Sequence, residues 1–396
     1  MLGHLGDWAN LLLRWTHFIA GIAWIGSSFY FIWLDRALSA PTPPRPGVDG
    51  EVWMVHSGGF YQTEKRRPGP GEMPAVLHWF KWEALFTWIT GIALLVLIYY
   101  LSQAYLLDPA VSRIGRGTAT AFGIALLIIG WVAYDLLWKS PLASSRNGAI
   151  ATGISLVLLT VASVAACRLL SGRAAFMHVG ALLGTVMVAN VWMRILPAQQ
   201  AMIDATKAGR PADFTMGERA KQRSVHNSYM TFPLLFIMLS NHYPATFSGP
   251  ANWLVLLLLF VAGAAVRHAM IGRGASARWA LLPAAAALGV AIFLTTPKRA
   301  ATPSATADGV PPFAAVRGVV VQRCLPCHSH YPSDRTFGAA PAGVAFDTPE
   351  SIAALAPRIL VRAVETQTMP LGNKTGMTAD ERALLARWIA NGAPLR

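Results

Sequence analysis

The chain has 396 residues, of which 54% are hydrophobic and only 13% charged, with 14 tryptophans, a mean hydropathy of +0.43 and a net charge of +14. Such a composition excludes an ordinary soluble domain and a disordered chain, and describes a multi-pass membrane protein. Three cysteines in 396 residues also exclude a disulfide scaffold.

Apolar runs close to the length a bilayer requires, about 20 residues, lie at 11–34, 82–105, 118–138, 149–170, 175–196, 227–242, 252–271 and 279–296. They predict an all-α bundle of about eight transmembrane helices over residues 1–296. The sixth run is the weakest, being short and interrupted by Pro233; its loss would leave seven spans and put the termini on opposite sides. Charge tests the topology independently. With the N-terminus outside, seventeen lysines and arginines fall in the inward-facing loops, while the outward-facing loops carry only Arg113, Arg116, Arg168 and Arg173. This positive-inside bias places both the N-terminus and the C-terminal tail in the periplasm of a bacterial inner membrane. It also accounts for the net charge without a nucleic-acid partner.

The first run contains Arg14 and His17 and has no Ala-x-Ala exit, so it reads as a retained span and not as a cleaved signal. The connection from Asp35 to Lys81 is the longest, rich in Pro and Gly, and reads as a functional or disordered loop. Residues 297–311 are small and polar and form a linker to a last domain at 312–396.

Ionisable and amide side chains beside the spans fall in two layers. Near the cytoplasmic ends lie His78, Lys81, Glu83, Asp135, Asn190, Arg194, His226 and Asn227, the candidates for substrate binding and catalysis; near the periplasmic ends lie His17, His178 and His242. Taken singly, each is more often a snorkelling or hydrogen-bonded structural residue. Asn190 and Arg194, four apart on one helix face, would offer donors to a planar anion, and Glu83 and Asp135 would accept protons. The periplasmic histidines suit a second, non-covalent haem b held between helices, with His17 paired to His178 or His242.

In the tail, Cys324-Leu325-Pro326-Cys327-His328 places two thiols one turn apart beside an imidazole, the pattern of a covalent haem c with His328 as axial iron ligand. A thioredoxin-like pair would need a βαβ context and a zinc site two more ligands, and the remaining cysteine, Cys167, lies in an apolar run. The second axial ligand is expected from Met369, in a Pro and Gly-rich loop, with Met377 as competitor. Thr348 before Pro349 opens one or two short helices over 347–366, and Thr378-x-x-Glu381 is a capping box opening a final helix with Leu384, Leu385, Trp388 and Ile389 on its apolar face. The tail is therefore a small, class I-like cytochrome c domain.

The stretches Leu13-Arg14-Trp15-Thr16-His17-Phe18, His56-Ser57-Gly58-Gly59-Phe60-Tyr61 and Leu77-His78-Trp79-Phe80-Lys81-Trp82-Glu83, together with the haem motif and the spans, resemble the bacterial membrane-bound urate oxidases (urate hydroxylases) that carry a C-terminal cytochrome c domain. The resemblance covers essentially the whole chain. It implies oxidation of urate to 5-hydroxyisourate, with electrons passed through haem c to a respiratory acceptor, a soluble cytochrome c or a terminal oxidase, and no direct peroxide production. The alternative is an anchored b/c-type cytochrome that oxidises quinol or docks a terminal oxidase and has no purine site.

Overall fold

The computed structural model describes residues 2–101, 105–109, 111–143, 148–272, 274–296, 309–334 and 340–396. It opens on a 36-residue helix, α1 (Leu2–Ala37), followed by an antiparallel hairpin of β1 (Val48–His56) and β2 (Gly59–Arg66). Next come α2 (Trp82–Leu95), which runs on as a π-helical turn (Val96–Leu101), α3 (Arg116–Lys139) and α4 (Gly148–Leu169). Then α5 (Gly172–Asn190) passes through a second π turn (Val191–Ile195) into α6 (Leu196–Lys207). The bundle closes with α7 (Phe214–Ser240), α8 (Asn252–Ile271), the single turn α9 (Ala275–Arg278) and α10 (Leu281–Thr295).

Among the described residues seven helical stretches are long and apolar enough to cross a membrane. The expected sixth span is where the reading changes: α7 is 27 residues long, but its first half carries Glu218, Arg219, Lys221 and Arg223, so it fails on apolarity and not on length. Pro233 does not end it. The proline ring packs where α8 offers only Gly263, whose missing Cβ would lie 2.8 Å from Pro233, and an absent side chain of this kind lets two helices approach. The stretch between the fifth and sixth runs is likewise mostly helix, α6 folding back on α7.

The fold is mostly helical but not all-α. The connection from Asp35 to Lys81 holds the hairpin, whose two-residue turn has Ser57 and Gly58 both at positive φ, 50° and 74°. Both central residues of a type I′ turn need that conformation.

Helix α5 is the axis of the bundle: 67% of its apolar window is buried, against 6–28% for the other six stretches. It packs on α2, α3, α4 and α7; α7 packs on α8, α8 on α10, and α1 lies along α2. Ser171 caps α5 by accepting from Ala174 N at 3.2 Å, and Asp213 caps α7 by accepting from Thr215 N at 2.9 Å.

Residues 297–308, most of the expected linker, lie outside the described residues. Beyond them α11 (Phe313–Arg323), α12 (Pro349–Ala354), α13 (Ala356–Ile359) with a π turn (Leu360–Glu365), and α14 (Ala379–Ala390) enclose a separate core that includes Phe313, Val320, Ile352, Met377, Leu385 and Trp388. The first and last of these helices meet through the rings of Phe313 and Trp388, with centroids 6.0 Å apart. The predicted capping box of Thr378 with Glu381 forms, and Thr348, expected as the N-cap before Pro349, makes a second one with Ser351.

Candidate functional site

The densest polar cluster of the bundle joins α3, the second π turn and α7. Asp135 is its hub. Arg194 grips both carboxylate oxygens, Nε at 2.8 Å and Nη2 at 2.5 Å, Arg223 Nη2 donates to Oδ1 at 3.1 Å, and Lys139 Nζ stands 3.1 Å from Oδ2. The π turn widens the helix by one residue just where Arg194 must turn toward α3, a local distortion common at functional positions. Three cations on one carboxylate leave the cluster positively charged. The expected role of Asp135 as a proton acceptor is therefore corrected: its lone pairs are spent on holding two guanidinium groups in place.

Behind this pair runs a second chain of hydrogen bonds. Asn190 Nδ2 donates to Asn227 Oδ1 at 2.9 Å and to Tyr134 Oη at 3.1 Å, and Tyr134 Oη lies 2.7 Å from His226 Nδ1. Asn227 donates in turn to the carbonyl of Met187 at 2.9 Å. With Tyr134 donating to His226, the imidazole is neutral at Nδ1 and carries its proton on Nε2. The His226 ring packs on Trp138 with centroids 4.0 Å apart, and the Arg223 guanidinium lies 4.9 Å from the centre of the Tyr134 ring.

An open cleft of about 650 Å³ adjoins the cluster, lined by Trp138, Lys139, Met193, Arg194, Arg219 and Arg223, among others. That size suits a small-molecule site. One buried polar atom of a lining residue, Arg223 Nη1, has no hydrogen-bond partner in the protein. A buried guanidinium donor left unmatched is costly, and an anion with acceptors in its plane would satisfy it.

Of the residues expected at this site from the sequence, the structure brings together Asp135, Asn190, Arg194, His226 and Asn227. Asn190 is fully buried and acts through Tyr134 and Asn227, so it is not available to a ligand through its amide nitrogen. His78, Lys81 and Glu83 lie elsewhere. His78 packs edge-on to Phe80, and Lys81 points its ammonium among the rings of Trp79, Trp82 and Trp192, 5.4–5.7 Å from their centres. Glu83 opens onto a shallow apolar groove with Trp15, Ile19 and Trp82. Sequence reasoning passed over Arg223, Tyr134 and Trp138. The signal was available for Arg223, which sits three and four residues before His226 and Asn227 on one helix face.

The histidines expected to share a haem b do not converge. His17 Nδ1 lies 2.9 Å from Thr87 O and 3.1 Å from Thr90 Oγ1, with its ring over Gly91. His178 is fully buried with both nitrogens engaged, Nδ1 with Ala174 O at 2.7 Å and Nε2 with Tyr100 Oη at 3.0 Å. Thr90 and Tyr100 are ten residues apart on the helix formed by α2 and its π turn, so the two imidazoles differ in depth by about 15 Å at 1.5 Å per residue. His242 is exposed in the turn after α7. Axial ligands of one iron must face each other at one depth, and these three do not fit that group as a set.

In the C-terminal unit, Cys324 ends α11 and the chain turns helically through the motif, with Cys327 N and His328 N both donating to Cys324 O at 3.1 and 2.9 Å. The two thiols are not joined. Burial pushes the Cys324 thiol up to about 12, and burial with the neighbouring Asp334 carboxylate pushes Cys327 up to about 11. Neither is the low-pKa thiolate of a dithiol redox pair. His328 Nδ1 lies 2.9 Å from Val344 O, which fixes the tautomer and leaves Nε2 for a ligand. Met369 is half-buried and its loop is tied by Arg382 Nη1 donating to Met369 O at 2.8 Å, whereas Met377 is 3% exposed in the core. The paired thiols and the free Nε2 of His328 could hold a covalent haem, and Met369, outside the packed core, is the methionine that could serve as a second ligand. Burial pulls the Arg382 pKa below its ordinary value, against the opposing pull of Asp108, Cys324 and Glu381.

Residues 3–296 match the family described as urate oxidase N-terminal, and the chain belongs to that family. No curated protein and no solved structure matches the chain.

Proposed function

We propose that this member of the urate oxidase N-terminal family oxidises urate to 5-hydroxyisourate within the bacterial cytoplasmic membrane, in the cleft beside Asp135, Arg194 and Arg223. The electrons leave through the C-terminal unit to a soluble cytochrome c or a terminal oxidase, without peroxide being formed at the purine. The family match over residues 3–296 is the observation that carries this reading. The cleft supports it chemically, since urate is a planar anion at neutral pH, and Arg223 Nη1, Lys139, Arg219 and the wall of Trp138 offer charge, in-plane donors and an aromatic face.

Conversion of the urate monoanion to 5-hydroxyisourate consumes one water and releases two electrons and one proton. In this arrangement Arg194 and Arg223, oriented by Asp135, bind and hold the anion. His226 and Tyr134 lie one layer behind Trp138, with His226 Nδ1 already accepting from Tyr134, so they support the wall of the cleft, and the proton that water loses as it adds at C5 passes to solvent through the open cleft. Cys324 and Cys327 would hold a haem c by thioether bonds with His328 and Met369 as axial ligands, and that group would supply a one-electron acceptor. Helix α7 runs the depth of the bundle, from Arg223 beside Asp135 to Asn241 beside Arg173 and Tyr99; counted as a crossing with the seven apolar stretches, it gives the topology that the loop charges favour, with the N-terminus and the C-terminal unit periplasmic and the cleft cytoplasmic. The cleft and the haem-bearing unit then face opposite sides of a hydrocarbon layer about 30 Å thick, so the electrons need an intermediate one-electron carrier within the bundle, and His17, His178 and His242 do not hold a haem b for that step as a set.

The reading is tested by urate consumption in the purified, haem-loaded chain with an added cytochrome c as acceptor. Loss of the urate absorbance with stoichiometric appearance of 5-hydroxyisourate is expected. A fully loaded protein that leaves urate untouched while oxidising a quinol would reject it.

A further inference from the structure

The β1–β2 hairpin turns back along the end of α1 instead of projecting from it. Ser39 and Glu51 exchange backbone hydrogen bonds at 3.0 and 2.8 Å, Lys65 Nζ meets Asp35 Oδ1 at 2.7 Å, and Tyr30 Oη lies 3.5 Å from Met54 Sδ. Moving from Glu51 to Met54 advances about 10 Å toward the hairpin tip. The matching partner on α1 retreats from Ser39 to Tyr30, toward the middle of that helix, so the tip points back to the apolar body of the bundle.

Polarity along the hairpin follows that direction. At the base, Arg45 pairs with Glu51 and Glu64, and Arg67 pairs with Asp49 at 2.7 Å. At the tip, Val55 and Phe60 are register partners and Trp53 is two residues along the same face. These three are 73%, 78% and 64% exposed, a contiguous aromatic and aliphatic patch that soluble surfaces rarely leave uncovered. The neighbouring stretch of α1 is also exposed and aromatic at Tyr30, Phe31 and Trp33.

We propose that the hairpin is an interfacial anchor, with its Trp53–Val55–Phe60 face lying in the lipid at the Asp35 end of the first span. The occupant of this face is the bilayer. The hairpin lies along a stretch of α1 that is itself exposed and aromatic, the gradient from ion pairs at the base to aromatics at the tip runs toward the apolar spans, and aromatic side chains favour the membrane boundary. The base cations are each matched by a carboxylate, Lys65 and Arg67 included, so the attraction is apolar and needs no anionic lipid. The inference goes beyond the oxidation proposed above and rests only on the membrane reading of the helices.

The test uses the haem-loaded full chain with Cys167→Ser, in which thioether bonds would block Cys324 and Cys327 and the unlabelled parent serves as the control for stray labelling, reconstituted in phosphatidylcholine nanodiscs, some of whose lipids carry a nitroxide near the headgroup. An environment-sensitive fluorophore is attached, one position at a time, through Phe60→Cys at the tip, Arg66→Cys at the base and Ile128→Cys on the exposed face of α3. The tip and α3 labels should be quenched by the lipid nitroxide roughly twofold or more and be shielded from aqueous iodide. The base label should behave the opposite way, and adding anionic lipid or salt should change neither. A tip label quenched by iodide like the base label overturns the proposal, placing the hairpin in water. A tip label shielded from both quenchers also overturns it, showing that protein, a second copy or another chain, covers the patch. If the α3 label escapes the lipid nitroxide as well, the membrane reading fails and the anchor fails with it, whatever the result for urate.

Discussion

Arg194 and Asp135 lie 59 residues apart in sequence and form a two-bonded ion pair, Nε to Oδ1 at 2.8 Å and Nη2 to Oδ2 at 2.5 Å. The geometry is bidentate, the strongest and most directional form of such a contact. Because Asp135 is 6% exposed and serves Arg223 and Lys139 as well, it orients cations for a ligand and is not itself free to react. Asp135→Asn should therefore damage both folding of this corner and urate affinity. Removing one partner of a buried pair costs about 3–5 kcal/mol, read as a fall in the thermal midpoint of the detergent-purified protein.

Arg223 makes the sharper probe, because one of its terminal nitrogens is unpartnered beside the cleft. Arg223→Gln should raise the KM for urate by about tenfold to a hundredfold, the worth of one charge-assisted hydrogen bond of about 1.5–3 kcal/mol. The covalent haem content should not change. An unchanged KM would move the anion site away from this cleft.

The two methionines of the C-terminal unit should respond differently. Met369→Ala should abolish the methionine-to-iron absorption signature and leave the haem attached. Met377→Ala should keep that signature and destabilise the unit by about 2–5 kcal/mol, as expected for emptying a packed core position. Cys324→Ala or Cys327→Ala should abolish covalent haem, seen by haem staining of denatured protein. Exchange of the two methionine phenotypes would reverse the ligand assignment.

Glu381 supplies a pH dependence with a definite sign. Burial raises its pKa, but hydrogen bonds from Arg323 and the Thr378 backbone amide outweigh burial and hold it below the usual carboxylate range. A folded-state pKa below the unfolded value of about 4.3 contributes stability that is present above that pH and is lost as pH falls through the folded value. Acid melting of the haem-loaded protein should show Glu381→Gln less stable than the parent at neutral pH, with the gap closing as pH drops below about 4. A gap that stays constant with pH would mean that the carboxylate charge is immaterial.

What was legible in the sequence is what is local. The Cys-x-x-Cys-His motif, the Thr348 N-cap, the Thr378 capping box and the long apolar runs each lie in one continuous segment, so spacing alone identifies them. The hairpin escaped because Pro and Gly at residues 41–50 and 68–74 mask two short strands whose apolar residues face outward, away from any core. Helix α7 was read short because its polar half, Phe214 to His226, is shielded by α6 and by Asp135 and not by apolar residues of its own. The candidate site was half legible. Asp135, Asn190, Arg194, His226 and Asn227 stood out as polar groups beside spans, but their pairing depends on how α3, α5 and α7 pack, and a histidine's depth depends on which helix it leans on. His17 and His178 illustrate the second point, since both follow the outer ends of runs yet settle about 15 Å apart along α2.

The most direct test of the central claim is anaerobic addition of urate to the purified, haem-loaded full chain, followed in the visible spectrum. The account predicts reduction of haem c by urate at two haems per urate, without oxygen and without hydrogen peroxide when air is later admitted at the purine step, and loss of that reduction in Arg223→Gln at sub-saturating urate. A haem that stays oxidised under urate but is reduced by a quinol, or peroxide appearing one-for-one with urate loss, would contradict it.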